Sequence, residues 1–575
     1  MSTRISVPSK LAVLPFPTDG CLNHYALPFL FIDSQNMHQR AMKYFFAILA
    51  FTALFSPVRA VESAERPNFV FLFLDDQAYF GYGASGNDQI KTPQMDRLAS
   101  EGVMFTNHYN STAICMASRA SVMTGMYEYK TGCNFMHGPM RPETFELSYP
   151  VLLRDAGYRT GFGGKFGFAV TDKASESVNS YDVLPIDRFD AWAGGTGQTS
   201  YETAKNEYLK QYADRYPHSS RAYGAFAQDF IKDSAAGDKP FCLTLFFKAP
   251  HYPQIPDPFF DHVYENATFS KPENHGPESA EHLAPQSRMG RQFRDLYKRF
   301  GFDDEGYSTA IRKYYQQIYG VDYALGMLRD ELDRQGIADD TIIILTSDNG
   351  YFCGAHGFGG KVLPYEEGSR VPLLILDPTS SEMTPGSRCD RLTATIDIAP
   401  TILDYAGEPA PKNMDGSSLR KLVSDPQSNF RSWIPLFQAW GTSATYAMAV
   451  VSPTHKYIHW PYAEGIPAAH ELFDLRNDPL EMTNVIDDPA HQSQLQSLKS
   501  AYGEALQSWK DEAVPYHRYQ EFGKIFDPEV GWESKRDLFA TGNKNQRPAS
   551  PRSPKQPNSP QRNKRKKTAD TQRPR

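Results

Sequence analysis

Residues 68–76 read NFVFLFLDD and residues 341–350 read TIIILTSDNG, and these two stretches decide the fold. Each begins with an unbroken apolar run of strand length and ends in acidic or amide side chains. Such a run is typical of a strand that is buried on both faces, as in a parallel sheet covered by helices. We therefore predict that Asn68–Leu74 and Thr341–Thr346 are two central strands of one sheet.

Strand and helix patterns alternate on either side of these two runs, between about residues 66 and 425. Further strands are predicted at Tyr158–Phe162, Phe241–Phe247 and Val371–Leu376, and helices at Thr92–Glu101, Ser118–Tyr127, Val151–Ala156, Ile311–Gln335 and Ile398–Ala406. This alternation predicts an α/β fold, with a large, mostly parallel sheet flanked by helices on both faces. We assign residues 66–425 to one catalytic domain.

The pattern changes after residue 425. Tyr446–Val451 and Lys456–Trp460 predict an antiparallel pair of strands, and Gln492–Lys510 predicts a closing helix, so residues 426–525 are assigned to a smaller C-terminal α+β subdomain. The last segment, residues 541–575, is basic and has almost no apolar residues, so it cannot bury a core. We expect a solvated, disordered tail there rather than a surface that binds nucleic acid.

The first 60 residues have the layout of an upstream extension followed by a signal peptide. Residues 43–60 place Lys43 before an apolar run and end in the small residue Ala60, near which cleavage is expected. The run is too short for a stable membrane span. The chain is therefore expected to be secreted or periplasmic, and its formal net charge of −7 gives no indication of a nucleic-acid partner.

Acidic and amide side chains follow both central strands. Asp75 and Asp76 end the first strand, and Asp348 and Asn349 end the second. For either pair alone, an ordinary turn at a strand end is the simpler interpretation. Binding sites in open parallel sheets form beyond the carboxyl ends of the strands, so the two pairs together favour a site for one hard divalent cation, Ca²⁺ or Mg²⁺.

Cys115 begins the run Cys-Met-Ala-Ser-Arg, which leads into a predicted helix. A helix N-terminus favours a bound anion and a depressed thiol pKa, and Arg119 could return to the same side of the helix. Taken alone, Cys115 is more typical of a buried structural cysteine. Five of the six cysteines follow the expected cleavage site, and an odd number in an exported chain implies at least one free or modified thiol.

Several basic side chains lie in loops or at strand ends. Lys165 lies in GFGGKFG, Lys361 lies in HGFGGKVLPYEEGSRVP, and Lys248 and His251 directly follow the strand predicted at 241–247. For any one of these lysines alone, a solvated surface side chain is the simpler interpretation. Three of them beside an anion site predict a pocket for a tetrahedral oxyanion.

These segments, in this order, resemble the type I, formylglycine-dependent sulfatases of the alkaline phosphatase superfamily. The resemblance runs from about residue 66 to about residue 485. It is carried by NFVFLFLDD, CMASRASVMTG, LLRDAGYRTGFGGK, FKAPH, TIIILTSDNG, GGKVLPYEEGSRVPLLI, TIDIAPTIL and ELFDLRNDPLEMTN. It implies an alkaline phosphatase-like fold and a sulfuric ester hydrolase.

The resemblance also implies a set of residue roles. Cys115 would be converted to formylglycine, either by a formylglycine-generating enzyme or by an anaerobic maturase, and its hydrate would be the nucleophile. One Ca²⁺ would be bound by this residue together with Asp75, Asp76, Asp348 and Asn349. Arg119 would hold the hydrate, and Lys165 and Lys361 would bind sulfate oxygens. His251 would act near the leaving group. Export suggests a sulfated polysaccharide or glycosaminoglycan as substrate.

The sequence departs from the family pattern at two positions. Ala117 stands where the motif Cys-x-Pro-Ser-Arg has proline, a variant that known maturation systems also accept. Gly167 stands where the family commonly has the histidine of Gly-Lys-Trp-His-Leu-Gly. His356 and His137 are candidates to replace that histidine, and each is equally consistent with a substrate-binding or structural role.

Two other functions remain open from the sequence. A phosphonate or phosphate monoester hydrolase could use the same fold and the same aldehyde, because phosphate and sulfate are similar in shape. A non-catalytic carbohydrate-binding homologue is the second alternative. Gly167 favours it slightly, whereas Cys115 and the four predicted metal ligands weigh against it.

Overall fold

The computed structural model describes residues 66–173, 179–300, 303–463 and 465–542. The predicted signal peptide at 43–60 lies outside these residues. The predicted disordered tail, residues 541–575, lies outside them from residue 543 onward, and its first two residues instead end the helix Trp532–Gly542. No helix in the described part of the chain combines the length and the apolar character that crossing a membrane requires.

Fourteen strands are present among the described residues. They are β1 Asn68–Asp75, β2 Val103–Phe105, β3 His108–Tyr109, β4 Arg159–Lys165, β5 Ala191–Gly195, β6 Phe241–Pro250, β7 Thr341–Ser347, β8 Leu373–Leu376, β9 Ser387–Cys389, β10 Thr393–Ala394, β11 Ile434–Gln438, β12 Ala447–Val451, β13 His455–Trp460 and β14 Ala469–Asp474. Eight of them form the large sheet, in the order β5-β4-β6-β1-β7-β8-β2-β9.

The large sheet is parallel except at β8, which is antiparallel to both β7 and β2. Strand β1 lies at its centre and pairs in parallel with β6 on one side and β7 on the other. This confirms the predicted mostly parallel sheet, with the two apolar runs as adjacent central strands.

Thirteen α-helices are described. They are α1 Pro93–Glu101, α2 Cys115–Thr124, α3 Glu128–Thr131, α4 Pro142–Phe145, α5 Tyr149–Asp155, α6 Ser219–Ala235, α7 Asp304–Gln335, α8 Glu366–Ser369, α9 Ile398–Ala406, α10 Arg420–Ser424, α11 Gln492–Glu512, α12 Tyr519–Ile525 and α13 Trp532–Gly542.

Helices cover both faces of the large sheet, as predicted. Val70, Leu72 and Leu74 of β1 share a core with residues of α1, α6 and α7. Phe69, Phe71 and Phe73 of β1 share the opposite core with residues of α2, α5 and α9. Successive side chains of a strand point to opposite faces, so a strand that is apolar throughout requires these two cores.

The second sheet is antiparallel throughout, in the order β11-β12-β13-β14. The predicted antiparallel pair is confirmed as β12 and β13, and the predicted closing helix is α11. Met448 and Val450 of β12 pack with Leu498 and Trp509 of α11 in one core. This packing gives the sheet one covered face. The boundary at residue 425 stays a prediction.

Several element boundaries differ from the prediction by a few residues, and three of the differences have a local cause. Strand β4 extends to Lys165 because Gly161 and Gly164 allow a close approach: a Cβ at Gly164 would lie 2.0 Å from the backbone oxygen of Phe246 in β6. Helix α2 begins at Cys115 itself and ends at Thr124, before a left-handed glycine. Helix α7 begins earlier than predicted, where the Asp303 side chain accepts a hydrogen bond from a first-turn amide.

Candidate active site

The two predicted acidic strand ends meet at one edge of the sheet. Leu74 of β1 pairs with Ser347 of β7, so the residues that follow them emerge side by side. The backbone amide of Asp76 donates to Asp348 Oδ1 at 3.2 Å, and Asn349 Nδ2 donates to Asp76 Oδ1 at 2.6 Å. These side chains are buried, so the strand ends form a desolvated cluster of carboxylate and amide groups.

Cys115 lies in this cluster at the first residue of α2. Its Sγ is 3.3 Å from Asp75 Oδ1 and 2.7 Å from Lys361 Nζ. The structure therefore brings together the cysteine, the strand ends and a predicted sulfate-binding lysine, which are far apart in the sequence.

Three buried cations compensate the three buried carboxylates. Lys165 Nζ binds the Asp75 carboxylate, and Lys361 Nζ binds the Asp76 carboxylate. The Arg119 guanidinium donates to Asp348 Oδ2 from two nitrogens, at 2.9 and 3.1 Å, and approaches Asp75 at 3.4 Å. Buried charges are tolerated when they are paired in this way.

His251 lies at the mouth of the cluster, on a pocket that Asp76 and Lys361 also line. Its Nε2 is 3.9 Å from Asp76 Oδ2, and its Nδ1 is 2.5 Å from the Tyr252 carbonyl oxygen. Burial lowers the pKa of His251 to about 4, against the raising effect of the Asp75 and Asp76 charges.

Lys248 lies close to the same cluster. Its Nζ donates to the Thr199 carbonyl oxygen at 3.0 Å and lies 4.5 Å from the centre of the Tyr201 ring. Burial, together with the charge of Lys165, lowers the pKa of Lys248 to about 8. Lys361 lines the pocket and Lys165 binds Asp75, whereas the Lys248 ammonium group is engaged by Thr199.

The two candidate histidines are placed elsewhere. His356 is fully buried, its Nε2 lies 3.1 Å from Asn274 Nδ2, and its Nδ1 lies 2.8 Å from the Ser279 carbonyl oxygen. His137 Nε2 lies 2.8 Å from the Ala439 carbonyl oxygen. Both His356 ring nitrogens and the His137 Nε2 are engaged by other groups, which favours a structural role over the mechanistic role considered from the sequence.

Gly167 has a local reason to lack a side chain. Its φ is 89°, and a Cβ at this position would lie 2.5 Å from Arg119 Cδ. The Arg119 side chain thus occupies the space that a residue 167 side chain would need. A histidine at this position would require a different arrangement of Arg119 and a strained backbone.

The depressed thiol pKa expected for Cys115 is wrong for this structure. Burial and the charge of Asp75 raise the pKa of Cys115 to about 12, although Lys165 and Lys361 oppose them. Desolvation therefore outweighs the helix N-terminus. A thiol with this pKa is protonated at neutral pH and is a poor nucleophile.

The donor groups fit a hard divalent cation. Asn349 Oδ1 is buried and has no hydrogen-bond partner among the described residues. Asp75, Asp76, Cys115 and His251 each offer one ligand atom, and these atoms lie within 4.8 Å of one another. Carboxylate and amide oxygens are preferred ligands of Ca²⁺ and Mg²⁺, and a cation would satisfy the isolated amide oxygen.

Comparison with known protein families decides the assignment. A family model described as Sulfatase matches residues 67–408, and a second, described as N-sulphoglucosamine sulphohydrolase, C-terminal, matches residues 354–508.

The chain belongs to the sulfatase family.

Curated relatives are similar over most of this sulfatase. It is 26% identical to an N-acetylglucosamine-6-O-sulfatase of Bacteroides thetaiotaomicron, over 78% of this chain and 88% of the relative. It is 28% identical to a choline-sulfatase of Rhizobium meliloti, over 74% of this chain and 83% of the relative. Its activity is accordingly that of a sulfuric ester hydrolase.

Solved structures share the fold. One, a complex with the substrate D-glucosamine-2-N,6-O-disulfate, covers 78% of this chain and 99% of its own, with a TM-score of 0.62 and 23% identity. A phosphonate monoester hydrolase of Agrobacterium radiobacter covers 78% of this chain and 96% of its own, with a TM-score of 0.63 and 23% identity. The alkaline phosphatase-like fold is thereby confirmed.

One residue that holds this site together was missed from the sequence. Asn110 Nδ2 donates both to Ser118 Oγ in the first turns of α2 and to the Asp348 carbonyl oxygen. It therefore ties the helix that carries Cys115 to the end of β7. The role of Asn110 could not be predicted from the sequence, because it depends on how close the end of β3 lies to the end of β7.

Proposed function

We propose that this sulfatase releases sulfate from a sulfated saccharide, using formylglycine made from Cys115 and one Ca²⁺. The observation that carries the proposal is the position of Cys115 Sγ, between a carboxylate of the strand-end cluster and the Lys361 ammonium group. A maturation enzyme that oxidises Cys115 is the implied partner.

The proposed cation ligands are Asp75, Asp76, Asp348 and Asn349, together with residue 115. The buried, unpartnered Asn349 Oδ1 supports this set. Ca²⁺ bound there would supply positive charge that stabilises an ionised oxygen nucleophile and the sulfuryl oxygens. An aldehyde hydrate at residue 115 would supply one hydroxyl oxygen to attack sulfur and a second whose deprotonation expels sulfate.

The basic residues would bind and orient the sulfate group. Lys165 and Lys361 at present neutralise Asp75 and Asp76. With a cation among these oxygens, both ammonium groups become available to sulfate oxygens, where fixed positive charge stabilises the transition state. Arg119 holds Asp348 and the Lys165 carbonyl oxygen, and so fixes the floor of the site.

His251 would provide a proton to the leaving oxygen, because sugar alkoxides leave poorly. It is the histidine that lines the pocket, and its side chain is about 20% exposed. Burial keeps it neutral at pH 7, but the negative charge of a bound sulfate ester favours the protonated imidazole. Positioned next to Asp76, it can hold that proton where the ester oxygen departs.

The relatives point to the substrate class. One is named for removing 6-O-sulfate from N-acetylglucosamine, and one structure holds a disulfated glucosamine. An extracellular or periplasmic sulfated polysaccharide or glycosaminoglycan is the corresponding substrate of this chain. Export through the signal peptide at 43–60 is part of the same proposal.

Sulfate release from an aryl sulfate and from sulfated saccharides tests the proposal. The wild type from a host that carries a maturation enzyme should release sulfate, and Cys115→Ala should abolish release. Cys389→Ala is the matched control, since it removes another buried, unpaired cysteine that lies outside the charged cluster. Full activity of Cys115→Ala would overturn the proposed nucleophile.

Phosphonate or phosphate ester hydrolysis is the second candidate. The structural match to a phosphonate monoester hydrolase supports it, as does the fit of the same cations to a tetrahedral phosphoryl group. Parallel measurements of kcat/KM on matched aryl sulfate and aryl phosphonate esters distinguish the two. A large preference for the phosphonate would replace the sulfatase assignment of this chain.

A further inference from the structure

A pocket of about 170 Å³ opens onto the charged cluster. Asp76, His251 and Lys361 line it, which connects it to the proposed sulfate site. Arg291 and Arg299 line the same pocket and belong to the segment that precedes α7. Neither arginine has a role in the chemistry described above.

Among the residues that the structure describes, no acidic side chain neutralises the two arginines. No carboxylate oxygen lies within 4.0 Å of either guanidinium group among the residues that the structure describes. Asp76 is the one acidic residue on the pocket wall, and Lys361 already binds its carboxylate. Beside the proposed sulfate site, the pocket therefore carries uncompensated positive charge.

A buried hydroxyl group in the same pocket lacks a partner. Tyr351 is about 2% exposed, it lines the pocket, and its OH has no hydrogen-bond partner among the described residues. Arg299 and Lys361 line the same pocket as this hydroxyl group. Buried hydroxyl groups are normally hydrogen-bonded, and a ligand oxygen would supply the missing bond.

Aromatic side chains form part of the walls. The Arg299 guanidinium carbon lies 3.6 Å from the centre of the Tyr252 ring, a stacking that holds the guanidinium plane in place. Trp440 lines the pocket as well. Aromatic faces beside fixed charged groups suit a ring that carries anionic substituents, such as a sulfated sugar.

We propose that the substrate carries a second anionic group, sulfate or carboxylate, on the same saccharide as the scissile sulfate, and that Arg291, Arg299 and the Tyr351 hydroxyl bind it. This inference rests on the proposed function, because the scissile sulfate must occupy the site at Cys115. It makes the enzyme selective for saccharides with at least two anionic groups. Arginine is suited to this task because its planar fork can bind two oxygens of sulfate or carboxylate at once.

The test compares kcat/KM on three matched sugars: a monosulfated sugar, the same sugar with a second sulfate, and the same sugar with a carboxylate. The wild type should prefer one or both dianionic sugars, and the preferred one identifies the second group. In the double variant Arg291→Gln, Arg299→Gln, the ratio of dianionic to monosulfated kcat/KM should fall by roughly 10- to 100-fold, as expected for lost charge-assisted hydrogen bonds.

Arg215→Gln is the control. Arg215 is exposed, also contacts a tyrosine ring, and does not line the pocket, so this variant should keep the wild-type ratio. Arg291→Gln alone alters an exposed side chain and keeps the test decisive if the double variant does not fold. Equal losses on all three sugars, or a wild type without preference for a second anion, would overturn the inference.

Failure of the proposed function gives a different result. In that case the wild type releases sulfate from none of the sugars. Calorimetric titration of the same sugars onto wild type and double variant then decides the inference by itself. A dissociation constant that is at least tenfold lower for a dianionic sugar, and only in the wild type, supports the subsite, and equal constants contradict it.

Discussion

Lys361 Nζ lies 2.7 Å from Cys115 Sγ and also binds the carboxylate of Asp76. These residues come from the loop after β7, the start of α2 and the end of β1. One ammonium group thus joins the residue proposed to become the nucleophile to a proposed ligand of the cation. In the proposed function, Lys361 would bind an oxygen of the sulfate group that reacts at residue 115.

Lys361→Ala should lower kcat by roughly 10²- to 10³-fold, the usual effect of removing one fixed group that stabilises transition-state charge. The measurement is steady-state hydrolysis of an aryl sulfate. Lys232→Ala removes an exposed lysine of α6 and serves as the control. A kcat for Lys361→Ala within about threefold of the wild type would exclude Lys361 from the chemistry.

Removal of divalent cations should abolish activity, and Ca²⁺ should restore it. A ligand that binds only the folded state stabilises it by about 2.7 kcal/mol at a hundredfold excess over its Kd, so Tm should rise with Ca²⁺. Asn349→Ala should lose most of this rise because the proposed ligand oxygen is gone. Asn477→Ala, at an exposed position, should keep it. An equal rise in both variants would rule out Asn349 as a ligand.

Gly167→Ala should destabilise the protein more than Gly86→Ala. Both glycines have positive φ, 89° and 102°, and an alanine there is strained by about 1–2 kcal/mol. A Cβ meets nothing within 4 Å at Gly86 but lies 2.5 Å from Arg119 Cδ at Gly167. Thermal unfolding and kcat measure the difference. Equal loss of stability with unchanged kcat would show that Arg119 is free to move.

The buried Glu128 should make stability depend on pH. Burial raises its pKa to about 7, although Tyr519 OH and Asn134 Nδ2 donate to its Oε1. A carboxyl whose pKa is raised on folding contributes stability fully below its unfolded pKa, about 4.3, and loses it as pH rises through about 7. Tm of the wild type should therefore fall over this range more steeply than Tm of Glu128→Gln.

The control for this titration is Glu143→Gln, at an exposed position close in the sequence. Its Tm should follow the wild-type curve. If Glu128→Gln also follows the wild-type curve between about pH 4.3 and 7, the carboxyl of Glu128 does not carry the titration.

His251 and His356 should respond differently to substitution. His251→Gln should lower kcat by roughly 10²-fold or more, as expected for loss of a proton donor. His356→Gln should lower Tm, because both ring nitrogens bond to neighbouring groups. Comparing Tm and kcat of the two variants checks the assignment. A larger loss of kcat in His356→Gln than in His251→Gln would contradict it.

The central sheet could be predicted because its strands carry a local signal. β1 carries an unbroken apolar run from Phe69 to Leu74 and β7 one from Ile342 to Leu345, and such runs are typical of strands covered on both faces. The acidic residues after these strands were predicted to meet, since parallel neighbours end at the same edge. The antiparallel orientation of β8 could not be predicted, because a run of four apolar residues is compatible with either strand orientation.

The parts of the site that escaped prediction depend on long-range packing. The extension of β4 to Lys165 follows from the close approach of Gly164 to β6. The raised pKa of Cys115 follows from complete burial, which a helix-start motif does not reveal. A binding role for Arg291 and Arg299 could not be predicted from the sequence, because only the folded chain brings them into the same pocket as Lys361.

Mass spectrometry of the peptide that contains residue 115 tests the central claim most directly. The protein should be purified from its native host and assayed for sulfate release in the same preparation. Conversion of Cys115 to formylglycine predicts a mass about 18 Da below that of the cysteine peptide, and activity that scales with the converted fraction. A fully active preparation in which residue 115 is unmodified cysteine would contradict the account.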